Sequence, residues 1–139
     1  MKLAIVAADF DRAIVDPMIE GAENEARAAG FETITVRVPG AYELPLPVRR
    51  LLERKGVAAV VALGYIEKGH TLHGEVMGHV VHDTLMRLSL EYDKPVGLGI
   101  IGPGATQTQA AQRKDSYGPA AVKAAVSLLG TMAQLRKKR

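Results

Sequence analysis

The stretch "VAAVVALGYIEKGHTLHGE", residues 57–75, decides the fold. Its first seven residues, Val57 to Leu63, are apolar without a break, the pattern of a strand buried on both faces. At Gly64 the run gives way to a polar loop carrying Glu67, Lys68, His70 and His73. From about Leu72 a helical pattern begins and runs to Tyr92, with Val76, Met77, Val80, Leu85 and Leu88 as inward candidates. A buried strand that passes through a short loop into a helix is the unit of a parallel α/β sheet.

The same unit recurs on either side. "KLAIVAA" (2–8) reads as a strand, followed by a helix over 16–29 with Asp16 as N-cap, Pro17 at the first helical position and Gly30 as the stop. "FETITVRV" (31–38) alternates and is β-branched, so it is the second strand. "LPLPVRRLLERK" follows as a helix ending at Gly56, with Pro45 and Pro47 confined to its first turn. "PVGLGII" (95–101) is the fourth strand, "GPGATQ" a turn, and helix then runs to the end with a break near "DSYGP" (115–119). In the last helix Val122, Val126, Leu129 and Met132 are spaced for packing. Strands alternating with helices predict a three-layer α/β/α sandwich around a four-stranded parallel sheet with right-handed crossovers. Neither a repeat nor a linker interrupts residues 1–139, so one domain is expected, ending in a basic tail at 136–139.

Composition narrows the function classes. The chain is 47% hydrophobic and 24% charged, which is globular rather than disordered. With no cysteine, disulfides, thiolate metal sites and cysteine nucleophiles are excluded. No apolar run approaches the about 18 residues that span a bilayer, and "MKLAIVAADF" is too short for a signal peptide, so a cytoplasmic protein without membrane partners is expected. The net charge of +3 is carried by the tail: without Arg136, Lys137, Lys138 and Arg139 the acidic residues outnumber the basic by one. A solvated end explains that run better than a nucleic-acid arm.

In doubly covered parallel sheets ligands bind beyond the carboxyl ends of the strands, so the four strand-end loops hold the chemistry. Phe10 in the first loop either offers a stacking plate for a planar ligand or packs beneath the loop. In "VPGAYELP", Gly40 permits a close backbone approach, and Glu43 either complements a helix start or accepts hydrogen bonds from ligand hydroxyls. In the third loop Gly69 and Thr71 precede a helix whose free N–H groups make an anion site. It is not a Walker loop, because Lys68 precedes the glycine. His73 aims at the same space, where an imidazole can move a proton. The three-residue spacing of His70 and His73, and of His79 and His82, raises a metal site, but no His-Glu-x-x-His arrangement is present, so no metal is expected. Arg113, after "GPG" (102–104), is a candidate phosphate clamp or a surface residue. The residues alone point to an enzyme acting on a phosphorylated small molecule together with something planar.

Taken together and in order, "VPGAYELP", "ALGYIEKGHTLHGE" and "YDKPVGLGIIGPGATQTQAAQRKDSYG" resemble the 6,7-dimethyl-8-ribityllumazine synthase family in its archaeal-type branch, over nearly the whole chain. The resemblance implies a flavodoxin-like sheet in the order 2-1-3-4. It implies a transferase of riboflavin biosynthesis that condenses 5-amino-6-ribitylaminouracil with 3,4-dihydroxy-2-butanone 4-phosphate, without a cofactor. Phe10 would stack on the pyrimidine. Gly40, Ala41, Tyr42 and Glu43 would hold its ribityl chain, and Tyr65, Ile66 and Glu67 would line the ring pocket. Gly69, His70 and Thr71 would cradle the phosphate, and His73 would shuttle protons. Leu98 and Arg113 would come from a neighbouring subunit of a pentamer or a multiple of it.

The chain departs from the common pattern at His70, at Leu98 where bacterial members carry phenylalanine, and at Tyr117 where they carry lysine. It also opens almost directly on its first strand, without the N-terminal segment that shell-forming bacterial members add to a neighbour's sheet. The rival readings are an archaeal-type riboflavin synthase, which the "VPGAYELP" and "GHTLH" pair disfavours, and a non-catalytic lumazine or flavin carrier.

Overall fold

The computed structural model describes residues 1–137; Lys138 and Arg139 of the expected basic tail lie outside the described residues. Four strands, β1 (Lys2–Ala8), β2 (Glu32–Val38), β3 (Val57–Glu67) and β4 (Val96–Ala105), form one parallel sheet in the order β2-β1-β3-β4. This is the flavodoxin-like order. The side-chain alternation of the strands sorts the core into two layers. Leu3, Ile5 and Ala7 of β1 and Val61, Leu63 and Tyr65 of β3 face helices α1 (Arg12–Ala28) and α5 (Tyr117–Lys137). Ala4, Val6, Val60, Ala62 and Ile66 face α2 (Pro45–Leu52) and α3 (His73–Tyr92). Both central strands are buried on both sides, which is why Val57–Leu63 reads as an uninterrupted apolar run.

Helix α1 starts at Arg12, not at Asp16. Asp11 is the N-cap, and its carboxylate accepts from the Ala13 N–H at 3.1 Å. The earlier start adds Ile14 and Val15 to the buried stripe with Met18, Ile19, Ala22 and Ala26. Pro17 sits inside the helix, where it forfeits one backbone hydrogen bond. The helix stops at the expected glycine: Gly30 has φ +92°, its N–H reaches the Arg27 carbonyl, and the Phe31 N–H reaches the Ala26 carbonyl, a Schellman ending.

Strands β3 and β4 run past the glycines expected to end them. Gly64 to Glu67 stay in the sheet because β4 also continues, pairing Tyr65 with Ile101 and Glu67 with Ala105 across a register shift. The expected turn over 102–107 is instead an irregular strand end to Ala105, with Gly102 and Gly104 at positive φ, followed directly by the Thr106 helix cap; a β-carbon at Gly102 would overlap the Ile66 carbonyl. Helix α4 (Gln107–Arg113) opens on a capping box between Thr106 and Gln109, and the break before α5 falls at 114–116.

The inward face of α3 is Gly78, Val81, Leu85 and Leu88. Val76 and Val80 point outward, each about half exposed, contrary to their reading as core. Gly78 explains the rotation: it packs on the Pro103 ring, where a β-carbon would come within 2.6 Å of Cδ, and this turns positions 81, 85 and 88 inward.

Candidate active site

Beyond the carboxyl ends of β1, β2 and β3 lies a cleft of about 380 Å³. Three separate stretches of chain build it, the third running from the end of β3 into the first turns of α3. The β1–α1 connection supplies Phe10; the loop after β2 supplies Gly40 and Ala41; the end of β3 supplies Tyr65, Ile66 and Glu67; the loop into α3 supplies Gly69, Thr71 and His73. Gly74 and Met77 of α3 complete the wall. These two were not anticipated, although 73, 74 and 77 share one helical face and that spacing is readable.

Phe10 is 51% exposed, whereas Tyr65 is 3% exposed. Their rings are stacked, with centroids 6.0 Å apart and planes inclined by 25°. The Tyr65 hydroxyl donates to the Ala105 carbonyl at 3.1 Å, and the Lys68 N–H donates to the same oxygen at 2.8 Å. Burial, then the charges of Glu67 and Asp11, push the Tyr65 phenol above its ordinary range, so it stays a neutral donor. The alternation of β3 places Tyr65 toward α1 and α5 and Ile66 toward α2 and α3, so the cleft straddles the end of the strand.

The Ala41–Glu43 segment is one 3₁₀ turn. Glu43 folds back over Gly40, since a β-carbon there would sit 3.3 Å from Oε1. Tyr42 meets His73 edge to face, with centroids 6.1 Å apart and planes at 69°. The His73 N–H reaches the Thr71 hydroxyl at 3.3 Å, which sets the turn into α3. Behind the Phe10 loop, Arg37 donates to Asp9 at 2.8 Å and pairs with Asp16 at 2.8 Å, while Arg12 donates to Asp9 at 3.1 Å. The Arg37 hydrogen bond holds the Asp9 carboxyl below its ordinary range, and the Asp9 hydrogen bond raises Arg37. Gln107 ties the same loop to α4 by donating to Asp11 at 3.2 Å.

Of the residues singled out from sequence, His70 is exposed on the loop and does not line the cleft. Leu98 packs half-buried against the α2/α3 layer. Arg113 lines a different groove, of about 290 Å³, with Gly102, Gln109 and Tyr117, and its guanidinium donates to the Gln109 carbonyl at 3.0 Å. Neither Leu98 nor Arg113 reaches the cleft of its own chain. Among the described residues no group of three or more histidine or acidic side chains is placed to hold a metal ion. Among the described residues, likewise, no helix is long and apolar enough to cross a membrane.

Residues 1–135 match the model of the 6,7-dimethyl-8-ribityllumazine synthase family. The chain is 42% identical over 139 residues to the 6,7-dimethyl-8-ribityllumazine synthase of Staphylothermus marinus, covering 99% of this chain and 93% of the relative. It is 44% identical over 130 residues to that of Methanococcus aeolicus, covering 93% and 95%. It is 44% identical over 133 residues to that of Metallosphaera sedula, covering 95% and 88%.

Proposed function

The chain belongs to the 6,7-dimethyl-8-ribityllumazine synthase family, in its archaeal-type branch, and from that premise we propose that the Phe10–His73 cleft is the site at which this transferase of riboflavin biosynthesis joins its two substrates. The reaction condenses 5-amino-6-ribitylaminouracil with 3,4-dihydroxy-2-butanone 4-phosphate. The amine attacks the ketone and water leaves to give an imine, phosphate is eliminated, and the second ring closes with loss of water. The observation that carries the reading is that one cleft gathers Phe10, Gly40, Tyr65, Gly69, Thr71 and His73 from three separated stretches of the chain.

In this reading the pyrimidine lies on Phe10 with its edge toward Ile66 and Glu67, and Tyr65 stands behind the Phe10 ring. The pyrimidine's ribityl chain follows the backbone of Gly40, Ala41 and Tyr42, and Glu43 accepts from the ribityl hydroxyls. The phosphate sits over the loop of Gly69, His70 and Thr71, where the N–H groups opening α3 and the Thr71 hydroxyl favour an anion. His73, on the first turn of α3, moves protons between the amine, the leaving hydroxyl and water. Both substrates are reactive without help, so holding the amine against the carbonyl supplies much of the acceleration.

The remaining contacts belong to a neighbour. Arg113 would clamp the phosphate and Leu98 would close the ring pocket from an adjacent subunit, which fits their positions outside the cleft of their own chain. The outer face of α3 exposes Val76, Val80, Met86 and Leu90 among His79, Asp83 and Arg87, a mixed surface that supports such packing. The enzyme is accordingly a cytoplasmic homopentamer or a multiple of it, with each site at a subunit boundary.

Kinetics of two variants test the assignment. His73→Ala lowers kcat by about a hundredfold, the lower end of what a positioned acid–base group contributes. Arg113→Ala raises KM for the butanone phosphate by about tenfold or more, as loss of a charged hydrogen bond predicts, with a smaller change in KM for the pyrimidine. Wild-type kinetics in both variants would contradict the assignment.

A further inference from the structure

Phe10 has to present a flat face, yet it stands half exposed on a three-residue connection, Asp9 to Asp11, between β1 and α1. An exposed aromatic ring on such a loop samples several rotamers, and ordering it on binding costs affinity. One neighbour restrains it. Tyr65 is fixed by its pairing with Ile101 in the sheet and by its hydroxyl on the Ala105 carbonyl, and its ring is stacked on that of Phe10 at 6.0 Å. A planar ligand between the two rings would need two ring-to-ring spacings, more than this separation provides. The ligand face of the pair is therefore the outer side of Phe10, and Tyr65 is its backing.

We propose that Tyr65 is a positioning residue for pyrimidine binding: a buried plate whose ring holds the Phe10 ring in its stacking orientation. The proposal rests on the reading that the pyrimidine lies on Phe10, and it deepens that reading. The chain from Ala105 through the phenol to Phe10 also reaches the phosphate loop, because the Lys68 N–H shares the Ala105 carbonyl. Removing only the phenol oxygen leaves that carbonyl satisfied and the plate in place.

The test is steady-state kinetics on the full chain, each substrate varied in turn, for Tyr65→Leu, Phe10→Ala, the double variant and Tyr65→Phe. Tyr65→Leu raises KM for the pyrimidine roughly three- to tenfold, the range of an aromatic pair, with a smaller effect on kcat and on KM for the butanone phosphate. In the Phe10→Ala background the same change adds less than twofold, because the plate has nothing left to hold. Tyr65→Phe recovers most of the affinity lost in Tyr65→Leu. Equal multiplication of KM with and without Phe10, or equal rises for both substrates, overturns the proposal and leaves the functional reading standing. If leucine at 65 prevents folding, Tyr65→Phe decides: a loss as large as that of Phe10→Ala would place the role on the hydroxyl and overturn the ring-support account. Absence of turnover in the unsubstituted protein would overturn the functional reading and the proposal with it.

Discussion

Asp9 and Arg37 anchor the loop that carries Phe10, and their pairing links the site to pH. The Arg37 hydrogen bond holds the Asp9 carboxyl below its unfolded value of 3.8, so the pair contributes stability that is full above about pH 4 and is lost as pH falls through the lower folded value. Asp9→Asn should therefore lower the thermal midpoint at pH 7 by roughly 2–4 °C at most, as expected for a partly exposed pair. The difference from wild type should shrink as the pH is taken below 4; a difference that grows on acidification would contradict the pairing. This cluster was not legible in the sequence, because Asp9 and Arg37 lie 28 residues apart and meet only through the pairing of Ala8 with Val38. Phe10, Thr71 and His73 were legible, since each stands just past a strand and the strand-end rule points there. His70 remains without a contact in the cleft, and nothing in the structure explains why histidine occupies that position.

At the scale of elements, glycines set how closely neighbouring elements approach. Gly118 at the start of α5 packs on α1, and a β-carbon there would overlap the Met18 carbonyl oxygen. Alanine improves helix propensity by up to about 1 kcal/mol, but backbone overlap at a packed crossing costs about 1–3 kcal/mol, so the steric term wins. Gly118→Ala should lower the thermal midpoint by several degrees; an unchanged or raised midpoint would refute this account of the α1–α5 contact. The type of each strand and of each long helix was readable from hydrophobic period, whereas boundaries failed where tertiary partners overrode local signals. Gly64 and Gly102 read as stops, yet β3 and β4 extend because each offers the other a pairing edge. Asp16-Pro17 read as a helix start, yet Ile14 and Val15 one turn earlier complete the buried stripe. Val76 and Val80 read as core because an apolar residue on a helix does not announce whether it meets its own sheet or another surface.

For the whole molecule, the alternation of strands and helices was enough to predict a covered parallel sheet, and the burial of Leu3–Ala8 and Ala59–Ile66 from both faces is its physical basis. The site is less self-contained than the fold. Arg113 and the exposed face of α3 lie outside its cleft on the same chain. A single sequence cannot display such a division, because residues that complete a neighbour's site look like ordinary surface. In the proposed pentamer each chain gives Arg113 to one neighbour and receives it from another, which links the arrangement of subunits to turnover. The central claim is that this chain joins the two substrates in that cleft. The most direct measurement mixes the purified protein with 5-amino-6-ribitylaminouracil and 3,4-dihydroxy-2-butanone 4-phosphate and follows lumazine absorbance and free phosphate together. Lumazine and phosphate should appear in equal amounts, at a rate proportional to protein concentration and well above the spontaneous reaction; a rate no faster than the protein-free control would contradict the account.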